Sequence, residues 1–202
     1  MTESTPGSLP DSAQRVAVVL AGYRGDERTV IDGLSSDDPR VRIAALGALA
    51  RMGTLTCDRL EQFATDSDVR VRRRIAELSA THRDFDPLSL LHDADSSVVE
   101  VAAWACGERE SVSDSVIERL VHLATEHSDP LVREAAVAAL GAIGDERGLP
   151  AILHGCSDKP AIRRRAVLAL APFSGPEVDA AIEAALEDRD WQVRQSAEDI
   201  RP

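Results

Sequence analysis

The chain has 202 residues, of which 44% are apolar, 29% charged and 3% aromatic, so it can bury the core of a domain, but one built of Ala, Val, Leu and Ile rather than of rings. A formal charge of −12 excludes the broad positive field that holds nucleic acid. The three cysteines, Cys57, Cys106 and Cys156, have neither the number nor the spacing of a disulfide framework or a zinc knuckle, and no apolar run reaches membrane-spanning length.

In chain order, MTESTPGSLPDS is polar and lacks the basic-then-apolar pattern of a leader. It predicts a flexible tail over residues 1–12 before a single domain over 13–202, in a cytoplasmic protein. Residues 12–28 predict a helix ending at Gly25-Asp26-Glu27-Arg28, a quartet repeated at Gly144-Asp145-Glu146-Arg147. Short amphipathic helices follow at 26–34, 57–66, 86–93, 115–125, 149–156 and 176–188. Longer ones, each opened by a capping residue, alternate with them.

The longer helices are copies of one pattern, spaced by roughly 30 residues. Its anchor, p, is a β-branched residue: Val41, Val71, Val98, Val132, Ile162 and Val193. At p−3 stand Asp38, Asp68, Asp95, Asp129, Lys159 and Asp190, where a carboxylate can accept from the free amides of a first turn. Pro39, Pro130 and Pro160 follow at the first helical position, where no N–H is missed. At p+1 stand Arg42, Arg72, Val99, Arg133, Arg163 and Arg194. Small residues dominate p+4 and p+7, which with p form one face and allow close helix approach. Gly107 and Gly141, at p+9, fit helix ends. One such unit cannot cover its own apolar face, but a stack can.

The D-x-x-V-R-x-x-A-x-x-A-L pattern resembles HEAT repeats, in particular the short HEAT-like repeats of phycobilin lyases. The resemblance implies an all-α, right-handed solenoid of about six helix-turn-helix repeats, preceded by an N-terminal half-repeat. It implies that second helices line a concave face. It also implies a ladder of inter-repeat salt bridges between the p−3 and p+1 columns: Asp38, Arg42, Asp68, Arg72, Asp95, Asp129, Arg133, Arg163, Asp190 and Arg194. Val99 and Lys159 depart from that ladder.

No catalytic, metal or cofactor constellation emerges. HEAT-like hydroxylases of the deoxyhypusine type use repeated His-Glu pairs for iron, and this chain has no His-Glu dipeptide among His82, His92, His122, His127 and His154. DADSSVVE (93–100) begins like a calcium loop but has Val98 where the glycine is required and Trp104 where the bidentate Glu is required. The phosphate-loop, dinucleotide and nucleophile-elbow motifs are all missing. The expected function is therefore a non-enzymatic protein-interaction or scaffold module without cofactor. The alternatives are a phycobilin-lyase-like tetrapyrrole chaperone, a metal-dependent hydroxylase or a DNA-glycosylase-like protein.

The partner face is expected at p+2, p+3, p+5 and p+6 of the long helices: Arg73, Arg74, Glu77, Ala103, Trp104, Glu134, Ala138, Arg164 and Arg165. Arg73–Arg74 and Arg164–Arg165 exceed what a ladder uses. Trp104 is an aromatic in a mixed column, which suits a partner anchor and equally a gap-filler. Trp191 is expected to pack in the last unit. The apolar residues Val16 to Ala21 exceed what one helical face needs, and predict a weak homodimer through the N-terminal helix.

Overall fold

The computed structural model describes residues 11–201, and every regular element among them is helical. The helices are α1 (Asp11–Arg24), α2 (Glu27–Gly33), α3 (Pro39–Met52), α4 (Cys57–Phe63), α5 (Val69–Ser79), α6 (Ser96–Gly107), α7 (Asp114–Glu126), α8 (Pro130–Ile143), α9 (Leu149–Gly155), α10 (Pro160–Ala169), α11 (Pro176–Leu186) and α12 (Trp191–Ile200). Helix α1 opens at Asp11, and the rest of the expected tail lies outside the described residues. The segment expected as a short helix at 86–93 is a 3-10 turn over Pro87–His92, an element favoured in such short pieces. The fold is an all-helical repeat solenoid in class. Contacts group the chain into two units, residues 1–75 and 76–202, with the division inside α5.

In the first unit α1 packs on α2 and α3, with Val18 and Ala21 buried. The two matching quartets fold alike: Gly25 and Gly144 both end a helix with φ near +70° (75° and 70°), a region open to glycine, and Asp26 and Asp145 then cap the next turn. In the second unit α6, α8, α10 and α12 pack in succession, while α7, α9 and α11 cover them. The core is aliphatic: Val98, Val132, Ile162 and Val193 at p are at most 1% exposed.

The p−3 aspartates cap as their position requires. Asp38, Asp68, Asp95, Asp129 and Asp190 each accept the amide two residues on at 2.9 Å. They are not, however, the carboxylates that meet Arg42, Arg133 and Arg163 between successive repeats. Arg42 makes a forked pair with Asp66 (Nη2–Oδ1 2.7 Å), Arg133 with Asp158 (Nε–Oδ2 2.7 Å) and Arg163 with Asp188 (Nη2–Oδ1 2.8 Å). The acidic partner thus stands four or five residues before p of the following repeat. The physical reason is position: a p−3 carboxylate lies at its own helix start, where Asp38 and Asp68 also pair with Arg40 and Arg70, whereas the turn before it is what the previous repeat's guanidinium reaches. The upstream carboxylate sits in the turn and does two jobs. Asp66 and Asp188 also accept the p−3 amide, at 2.8 Å each. Each arginine in turn donates through Nη1 to carbonyls of its own turn: Arg42 to Ser36 O, Arg72 to Asp66 O, Arg133 to His127 O, Arg163 to Asp158 O and Arg194 to Asp188 O. One guanidinium therefore fastens two successive turns.

Val99 now has an explanation. The residue five before p in the next repeat is His127, not aspartate, so the arginine and its carboxylate are missing together. His127 Nδ1 still accepts the Asp129 amide at 3.1 Å, as Asp66 and Asp188 do for theirs. Val99 is 1% exposed. Val99→Arg alone should bury a guanidinium with no carboxylate and lower stability by about 2 kcal/mol. Adding His127→Asp should recover at least half of that in a denaturant titration. A double variant no more stable than Val99→Arg would contradict the equivalence of these positions.

Gly141 corrects a second expectation. It lies inside α8, which ends at Gly144, and serves contact rather than termination. A Cβ on it would lie 2.5 Å from Ala169 Cβ, so α8 and α10 meet nearly backbone to backbone. Gly107 meets Ala139, and Gly22 meets Ala48, at the same places. The p+9 and p+7 columns are thus the closest approach between successive second helices.

Candidate functional site

In the second unit the long helices leave an open groove of about 620 Å³ along α6, α8 and the start of α10. Its floor is made of small residues: Gly107 from α6, and Ala135, Ala138, Ala139 and Ala142 from α8. The backbones approach closely there because neither helix carries a large side chain at the contact. Its walls carry the apolar surface: Trp104 is 48% exposed and Leu131 56%. Both are large to leave in water, and neither is needed by the core.

The rim is charged. Glu100 and Glu108 stand four residues before and after Trp104, one turn away on either side along α6. Glu134 faces Arg165, with Nε–Oε1 at 3.8 Å. Glu100 and Glu108 have no such partner among the described residues.

The expected partner residues divide. Trp104, Glu134, Ala138 and Arg165 come together in this groove. Ala103 does not, because it is fully buried. Position p+5 belongs to the core in five of the six copies: Leu46, Ala76, Ala103, Val137 and Val167 are at most 1% exposed, and only Glu198 in the last copy is exposed. The second helices are covered on two sides, by a first helix and by neighbouring second helices, so burial extends past the p, p+4, p+7 face. Arg164 is half-buried and does not line the groove. Arg73 is exposed on α5 in the first unit, where the Arg74 guanidinium lies over Gly47. Glu77, also on α5, is half-buried.

Three groove residues escaped the sequence reading. Leu131 is the one large apolar residue at p−1, where other copies hold Arg40, Arg70, Ser97, Ala161 and Gln192. Glu100 shares the p+2 column with Arg73, Glu134 and Arg164, and Glu108 lies just past the helix end. Trp191, expected to pack, is 65% exposed at the first position of α12.

Among the described residues no group of three His, Cys, Asp or Glu is arranged to hold a metal ion. The calcium-like stretch is a turn and a cap, with Asp93 accepting from the Asp95 amide and Asp95 from Ser97. Burial, with Arg119 and His122 nearby, holds His92 below its ordinary pKa. Burial also pushes the Cys106 thiol up to about 12 and that of Cys156 to about 11, which makes both poor nucleophiles. No helix among the described residues is long and apolar enough to cross a membrane.

The HEAT repeat family matches residues 8–80 and 87–171, most of the chain. The chain belongs to the HEAT repeat family. Solved structures agree on the fold. An engineered protein is 20% identical and superposes with a TM-score of 0.60, over 86% of this chain and 94% of its own. A designed armadillo repeat protein in complex with the peptide (KR)4 is 16% identical, TM-score 0.58, over 85% and 96%. The Escherichia coli protein YibA is 15% identical, TM-score 0.61, over 96% and 75%. No curated protein matches. These likenesses speak for the HEAT-type architecture and leave the phycobilin lyase subtype unassigned.

Proposed function

We propose that this chain is a non-enzymatic interaction module whose partner docks on the second helices of residues 96–169, in the groove walled by Trp104 and Leu131. One observation carries the reading: two large apolar side chains are held in water beside a floor of small residues, on a face that neither the core nor the arginine clamps use. Such a patch fits the anchor of a protein contact. The test is affinity capture from a lysate of the source organism, with wild type and Trp104→Ala compared by mass spectrometry. A partner held by wild type and lost with Trp104→Ala, at unchanged melting temperature, supports the reading. Equal recovery would contradict it.

A second contact is supported by α1, where Val16, Leu20 and Tyr23 are 53%, 45% and 75% exposed at i, i+4 and i+7. Arg51 lies over the Tyr23 ring at 5.1 Å, which leaves the other ring face available. We propose a weak homodimer through this stripe. Light scattering should show dimer at high micromolar concentration and monomer for Leu20→Glu. A constant monomer mass would remove it.

A further inference from the structure

We infer that the groove along α6 and α8 takes a segment of a partner protein that presents an arginine beside a large apolar side chain. This deepens the reading above and rests on it. The observation is a stripe along α6 and its C-cap: Glu100, Trp104 and the capping residue Glu108, four residues apart, so that an exposed indole is bracketed by two carboxylates about 6 Å along the axis on either side. Among the described residues neither carboxylate is in an ion pair, whereas Glu134 has Arg165 at 3.8 Å.

The chemistry of that stripe selects its ligand. An aromatic face attracts a cation, and a guanidinium is the cation that stacks flat on indole while its edge donates to carboxylates. A carboxylate side chain set over Trp104 would instead meet Glu100 and Glu108 at close range. The second requirement comes from α8. Leu131 stands exposed, and Ala135, Ala138 and Ala142 leave a trough with no large side chain to fill it. A leucine-sized group entering the trough covers both walls. The chain's net charge of −12 favours approach of a basic segment in general. The stripe and the trough together give that attraction a place and a register.

Three fluorescently labelled, end-capped octapeptides test this against the full chain by anisotropy. One alternates leucine and arginine, the second leucine and glutamate, and the third serine and arginine. The first should bind most tightly. Trp104→Ala should weaken it about tenfold or more, and Glu100→Gln with Glu108→Gln should weaken it comparably and flatten its salt dependence. The paired glutamine variant changes only side chains on the groove rim, so it reports even where the Trp104 variant loses stability. Glu177→Gln with Glu183→Gln, on α11, should change nothing. Equal weakening by the two glutamine pairs would show diffuse attraction to an acidic protein and overturn the inference. So would a serine–arginine or leucine–glutamate peptide that binds as well as the first, or no binding at all. If a captured partner depends on Trp104 yet is not displaced by the leucine–arginine peptide, the chemistry inferred here fails while the groove as docking site stands.

Discussion

Replacing Asp188 by alanine should lower stability by about 3 kcal/mol, more than any exposed charge change in the chain. Arg163 is 6% exposed, and its Nε and Nη2 donate to the two Asp188 oxygens at 2.8 Å each. Asp188 Oδ1 also accepts the Asp190 amide at 2.8 Å. The substitution therefore strands a buried guanidinium and leaves a turn amide without its acceptor. The remaining Nη1 bond to Asp158 O holds Arg163 in place, so the charge cannot swing out to water cheaply. Arg163→Met added to Asp188→Ala should recover much of the loss, because an apolar pair replaces an orphaned charge. Denaturant midpoints with unchanged slopes measure both. A single-variant loss under about 1 kcal/mol would contradict the clamp.

The same pairs set an acid limit. Hydrogen bonds from Arg133 and Arg163 hold the Asp158 and Asp188 carboxyls below the ordinary value. A depressed folded pKa means stability that is present above the unfolded value, about 3.9, and lost as pH falls through and below it. The melting temperature should hold from pH 7 to about 4 and then fall. In Asp188→Ala the fall should be shallower.

Gly141→Ala should cost about 3 kcal/mol, an unusual penalty for adding one methyl group. Its Cβ would lie 2.5 Å from Ala169 Cβ, 2.6 Å from Ala169 Cα and 3.0 Å from Ala169 O. Two of those atoms are backbone, so relief requires α8 and α10 to move apart, and close-packed interiors resist that. Gly25→Ala gives the contrast. Its Cβ would meet nothing within 4 Å, but its φ of +75° costs a side chain about 1 kcal/mol. Ala169→Gly should partly rescue Gly141→Ala and do nothing for Gly25→Ala. Equal costs for the two glycine variants would mean that the approach of α8 and α10 is looser than 2.5 Å implies.

Much of this fold was legible because a repeat prints its constraints several times. Asp38 or Asp129 alone is an ordinary acidic residue; five such residues at one register are caps. The arginine column was legible for the same reason, but its partner was not. Asp66 and Asp188 stand at p−5 and Asp158 at p−4, and the p−5 column is broken by Ser36, His127 and Ser157, whereas the capping aspartates fill theirs in five of six copies. Ala103 was misplaced because one-face periodicity describes a helix covered on one side, and α6 is covered on two. Trp104 was visible as an odd residue in a mixed column. Leu131 carried the same signal, an apolar residue in a polar column, and Glu100 and Glu108 acquire meaning only beside the exposed indole.

We propose that Trp104 anchors a partner and is not part of the core. This is tested most directly by titrating the captured partner into wild type and Trp104→Ala by calorimetry, with melting curves recorded on the same samples. The prediction is an affinity loss of about 2 kcal/mol, roughly thirtyfold, with the melting temperature unchanged. An unchanged affinity with a lowered melting temperature would make Trp104 a packing residue and remove the groove as the docking site.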